Sequence, residues 1–207
     1  MATAIHFTMQ RQSKSNHQGT NVRTETPNSL ATTAVGQAQL RVQFELPADR
    51  WRQTIVVQSA GETWPLLQSV EGTSADRWPA SPALQSLHFE TQAAGKDVAL
   101  LVGQAGRSHW SASVATIGPN ELEFDHACRV QELPEFLGCT YAVAEGWQVS
   151  PLASGCLLRK GDVTVRVIPL HATTVLGDEK LLKFNAAVVW AGRILTVRWG
   201  WRLDVGG

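Results

Sequence analysis

The residues best equipped for chemistry lie in one run, Glu121-Leu122-Glu123-Phe124-Asp125-His126-Ala127-Cys128-Arg129. Side chains on a strand alternate between two faces, so as a strand this run sets Glu121, Glu123, Asp125 and Arg129 on one side and Leu122, Phe124, His126 and Cys128 on the other. Two residues of strand rise would space the three carboxylates about 6.5 to 7 Å apart. Carboxylates that close raise one another's pKa unless cations intervene, and such a row can hold a divalent metal or face a basic wall. Arg198 and Arg202 fall on one face of a second strand-like run, and Lys183 lies on the run before it. Inside a barrel these strands could clamp an anionic, phosphorylated small molecule, with Glu121, Glu123 and Asp125 handling a metal or protons and Arg198 and Arg202 the anion. Facing water, the same residues would only form cross-strand ion pairs of small value.

His126 and Cys128 make a His-x-Cys step, half of the four-ligand set that zinc requires. His109 is expected to face with Arg107, Ser111 and Ser113, away from Trp110, Ala112 and Val114. A buried histidine beside a small thiol explains the His-x-Cys pair equally well, so no metal ligand is assigned. Ser111 or Cys128 with His109 or His126 and Asp125 has the group types of a nucleophilic relay but none of its contexts, such as GxSxG, and no catalytic residue is assigned. Gly103-Gln104-Ala105-Gly106 lacks the strand-to-helix setting and the Lys-Ser or Lys-Thr of a phosphate loop. No cofactor is implied. Trp64 and Trp78, like Trp51, sit near Arg50, Arg52, Pro65, Arg77 and Pro79 at strand ends and loops. Indoles placed there can stack on a sugar or a protein partner, or plug the open end of a sandwich.

The elements that must position these residues are strands. Leu40, Val42, Phe44 and Leu46 alternate with Arg41, Gln43 and Glu45 up to Pro47, a half-buried strand. Similar runs cover 54–57, 64–70, 84–91, 97–102, 108–117 and 121–130, with turn compositions at Gly103-Gln104-Ala105-Gly106 and Gly118-Pro119-Asn120. Residues 155–159 and 163–168 around Lys160-Gly161-Asp162 read as one hairpin, and 181–190 and 194–205 around Ala191-Gly192-Arg193 as another. Glu132 to Phe136 is expected to be a short helix. The fold expected is therefore all-β and mainly antiparallel, a barrel or a two-sheet sandwich with one or two short helices. Residues 38–207 form a single β domain. Residues 1–37 are read as a disordered polar tail, because their Thr, Ser, Asn and Gln have no apolar period with which to offset ordering entropy. Met9 is an alternative start to Met1.

Lys plus Arg and Asp plus Glu each number 18, so no bulk charge draws the chain to nucleic acid or an anionic membrane. No apolar run reaches the ~18 residues of a membrane-spanning helix. Cys128, Cys139 and Cys156 are odd in number and lack CxxC spacing, which suggests reduced thiols in a cytoplasmic protein. Eight tryptophans against one tyrosine suit sheet interiors.

Gly106 to Val114, Phe124 to Val130 and Leu137 to Tyr141 together resemble segments of an uncharacterised bacterial family of unknown function. The resemblance implies a bacterial cytoplasmic protein and brings no activity, cofactor or residue role. The residues themselves suggest two functions. One is a non-enzymatic ligand- or protein-binding β domain, using its interior or Trp64 and Trp78. The other is a barrel enzyme or binding protein for an anionic small molecule, built on Glu121, Glu123, Asp125, Arg198 and Arg202.

Overall fold

The computed structural model describes residues 28–34, 38–92 and 96–206. Among these the chain forms fifteen strands and no helix. They are β1 (Ser29–Ala31), β2 (Ala38–Glu45), β3 (Arg52–Ser59), β4 (Glu62–Ser69), β5 (Ser86–Gln92), β6 (Lys96–Ala105), β7 (Ser108–Gly118) and β8 (Glu121–Val130). The chain continues through β9 (Gly138–Val143), β10 (Gln148–Pro151), β11 (Cys156–Lys160), β12 (Val163–Leu170), β13 (Thr173–Gly177), β14 (Leu181–Ala186) and β15 (Leu195–Gly206).

Two antiparallel sheets result, one ordered β1-β2-β3-β4-β9-β14-β13 and the other β10-β11-β12-β15-β8-β7-β6-β5. They pack face to face as a sandwich and do not close into a barrel. Each sheet's inner face is its apolar alternation: Leu40, Val42 and Phe44 on β2, Leu122, Phe124, His126 and Cys128 on β8, and Val197, Trp199, Trp201 and Leu203 on β15 are all buried. At the centre, Trp201 stacks on Phe184 from the opposite sheet with ring centroids 4.0 Å apart, and on Phe124 at 5.1 Å. Trp110 meets Trp199 edge to face at 6.0 Å. None of the eight tryptophans is exposed, so the indole surplus serves the seam between the sheets. No helix among the described residues is long and apolar enough to cross a membrane.

Several expectations need correcting. The chain from β14 to β15 is not a hairpin: β14 pairs with β9 and β13, whereas β15 pairs with β8 and β12 in the other sheet. Residues 187–194 instead cross the roughly 10 Å between the layers. Alternating apolar residues look the same whether two strands are neighbours or face each other across a core, and the Gly192 turn satisfies either. Lys183 consequently lies on the sheet opposite Arg198. Glu132 to Phe136 is irregular, since Pro134 lacks a donor and five residues cannot repay helix nucleation. Ser29–Ala31, inside the segment read as a disordered tail, pairs with β2 and buries Leu30; three residues are too few to show a period. The rest of that tail, 1–27 and 35–37, lies outside the described residues. The hairpin around Gly161 forms as expected, with Lys160 opposite Val163.

Candidate functional site

β8 shows the expected alternation, with Leu122, Phe124, His126 and Cys128 inward and Glu121, Glu123, Asp125 and Arg129 on the outer face of the eight-stranded sheet. β15 runs beside it. The register sets Arg202 opposite Glu123, Gly200 opposite Asp125, Arg198 opposite Ala127 and Thr196 opposite Arg129. The carboxylate row and the arginine row therefore converge, as in the ion-pair reading, on an open sheet face and not in a lumen. The Arg198 Nε and Nη2 donate to the two oxygens of Asp125 at 2.7 Å each, a bidentate fork. Arg202 Nη2 donates to Glu123 Oε2 at 3.2 Å. Glu121 lies opposite Asp204, with no cation directly across from it.

One partner of this row escaped the sequence reading. His171, in the crossing from β12 to β13, brings its Nε2 to 3.5 Å from Asp125 Oδ1. Beside it position 200 must be glycine, because a Cβ there would lie 2.6 Å from the Phe124 carbonyl oxygen. Thr173 Oγ1 accepts from Gly200 N at 2.9 Å and fixes the crossing in place. No local signal ties His171 to a residue 46 positions earlier.

The groups of the nucleophile and zinc readings do not come together. His126 lies flat between Trp199 and Trp201, centroids 5.4 and 4.9 Å away, and burial lowers its pKa to about 3. Burial also pushes the Cys128 thiol up to about 12 and Cys156 to about 11, far from thiolate at neutral pH. His109 and Ser111 point the other way, to the outer face. Among the described residues no three His, Cys, Asp or Glu are grouped as metal ligands.

Trp78 and Trp64 are half-buried against the core. Trp78 packs edge to face on Trp110 at 6.2 Å. Trp64 donates from Nε1 to Glu62 at 3.0 Å, and the Lys160 ammonium sits 6.0 Å from its ring. Each ring thus packs on the core along one side and stays partly open to solvent along the other.

The outer face of the eight-stranded sheet does carry a depression, of about 530 Å3, beside the ion-paired row. The hollow exists because Gly103, Ser111 and Ala127 are small, and its rim includes His109, Arg129 and Gln104. Arg129 is exposed and, unlike Arg198 and Arg202, has no carboxylate partner among the described residues. The alternation had placed Arg129 and His109 on outer faces; what it could not show is that β7 and β8 pair so that the two are adjacent.

Comparison with protein-family models and with curated proteins finds no match.

Proposed function

We propose that this chain is a non-enzymatic binding domain that takes a small carboxylate- or phosphate-bearing molecule in the depression around Arg129. The observation that carries the reading is the difference between Arg129 and the two arginines on the neighbouring strand β15. Arg198 and Arg202 are matched to Asp125 and Glu123, whereas Arg129 stands over small side chains with its guanidinium free to fork onto an anion. His109, Ser111, Gln104 and Thr196 supply further polar groups around it. The expected clamp residues Arg198 and Arg202 act as a fence: an anion reaching them must displace a carboxylate already bonded there. The opening is wide, so the site suits one charged group of a ligand rather than engulfing it whole.

Titrating the full chain with sodium phosphate and with sodium acetate at constant ionic strength, followed by amide NMR shifts, tests this. Saturable shifts centred on His109, Ser111 and Arg129, weakened about tenfold or more in Arg129→Ala, are the expected result. Shifts that never saturate, or that Arg129→Ala leaves unchanged, reject it. Three buried free thiols, Cys128, Cys139 and Cys156, support a reducing, cytoplasmic setting.

A further inference from the structure

Among the described residues, the eight-stranded sheet ends at β5 in an edge on which no further strand pairs. Its other end is β10, four residues closed by Pro151, and the seven-stranded sheet ends in the three-residue β1 and in the five-residue β13, which finishes at Gly177. Short edges, proline and glycine are the devices that keep a sheet from recruiting another strand. β5 has none of them. It offers seven residues, Ser86-Leu87-His88-Phe89-Glu90-Thr91-Gln92, without lysine or proline, and every one but Leu87 is exposed. Its inner side pairs with β6 from Ser86–Val102 to Gln92–Lys96, so alternate N–H and C=O groups on the other side point outward.

We propose that β5 pairs antiparallel with β5 of a second copy about a two-fold axis through Phe89. The sequence of the strand is complementary to itself in that register. His88 falls opposite Glu90 of the second copy and Glu90 opposite its His88, Leu87 opposite Thr91, Ser86 opposite Gln92, and Phe89 opposite itself. The imidazole at 72% and the carboxylate at 50% side-chain exposure already lie together on the outer face, 3.7 Å apart within one strand, and the pairing gives each a second partner. On the inner side Phe89 is 36% exposed while its ring leans edge-on against Phe44 at 5.8 Å. The second Phe89 covers that exposed part as an aromatic cross-strand pair. The contact is isologous, so it closes at two copies. The axis stands perpendicular to the sheet, which sets both outer faces on the same side and both Arg129 depressions flanking one dimer. The pairing itself is independent of whether those depressions bind anions.

Sedimentation of the full chain across a concentration series tests the proposal, with two charge variants. The wild type should show a reversible monomer–dimer equilibrium. His88→Glu places a carboxylate opposite Glu90 at both symmetry-related positions and should weaken the dimer about tenfold or more. The double swap, His88→Glu with Glu90→His, again sets a carboxylate opposite an imidazole at both positions and should restore the dimer. These positions are exposed, and circular dichroism should show all variants folded. A wild type that stays monomeric at millimolar concentration overturns the pairing and leaves the edge to the chain's own residues 1–27 or to water. A dimer indifferent to His88→Glu, a double swap that fails to rescue, or open-ended assemblies overturn it equally.

Discussion

Replacing His126 with Phe should make this protein more stable, and more so in acid. The imidazole is buried in an aromatic stack, and neither Nδ1 nor Nε2 has a hydrogen-bond partner among the described residues. Leaving buried polar atoms unpaired costs about 1–3 kcal/mol, whereas Phe keeps the stack and the approximate volume without that cost. The gain at pH 7 should be about 1–2 kcal/mol. The acid effect follows from the proton. In the unfolded chain His126 titrates near the usual 6.5 of a histidine, and in the fold only near 3, because burial disfavours the imidazolium. Below pH 6.5 the unfolded state binds a proton that the fold refuses, so stability falls as pH drops from 6.5 towards 3, by about 1.4 kcal/mol per unit. By pH 4 that amounts to about 3 kcal/mol, present in wild type and absent in the variant. Urea unfolding followed by far-ultraviolet circular dichroism at pH 7, 5 and 4 measures both terms, and other titrating groups cancel in the difference. A variant less stable than wild type at pH 7, or one whose advantage does not grow towards pH 4, would refute the reasoning.

Glu71 should show the opposite pH dependence. Burial raises its pKa to about 7 despite the Ser69 hydrogen bond and the nearby Arg50 and Arg52, so the fold holds a proton that the unfolded chain releases near 4.5 and loses stability as pH rises from 4.5 to 7. Glu71→Gln should therefore raise the melting temperature at pH 8, by the equivalent of about 2 kcal/mol after allowance for partial exposure, and leave it unchanged at pH 4. Trp78→Ala should cost about 3 kcal/mol in urea unfolding because the ring packs on Trp110; a loss under 1 kcal/mol would return Trp78 to the surface. A double-mutant cycle on Asp125 and Arg198 should give a coupling of at most about 1 kcal/mol, since the arginine is exposed; a coupling above about 2 kcal/mol would mark the pair as structural.

What could be read along the chain was whatever a single strand displays by itself. β8 announces both of its faces because charge and apolarity alternate without a break from Glu121 to Val130, and β2 does the same up to Pro47. β9 was missed for a physical reason. Gly138, Cys139, Thr140 and Tyr141 are buried on both sides, Thr140 under Ser81 of a long loop, so no alternation survives to be seen. β13 is short and half-exposed, and its place in the sheet is given by β14 rather than by its own composition.

The candidate site was harder to read than the fold, because it depends on register between strands 70 residues apart in sequence. In the register observed, Arg202 faces Glu123, and Arg198 leans diagonally to Asp125 past the bare Gly200. Shifting β15 by two residues would keep every buried side chain buried and every charge outward, so the pattern along either strand could not forbid it. In one direction that shift would set Arg198 opposite Arg129 and Asp204 opposite Glu123, with like charges facing each other twice, against once in the observed register, where Asp204 faces Glu121. Ring packing argues against it as well, because Trp201 would leave Phe124, on which it stacks at 5.1 Å, for His126. The register that stacks Trp201 on Phe124 and bonds Arg202 to Glu123 and Arg198 to Asp125 also leaves Arg129 opposite an uncharged Thr196. A free arginine at that point of the sheet is thus a consequence of how the two rows are matched, and it is why Arg129 is open to a ligand while the two arginines that stand out in the sequence are not.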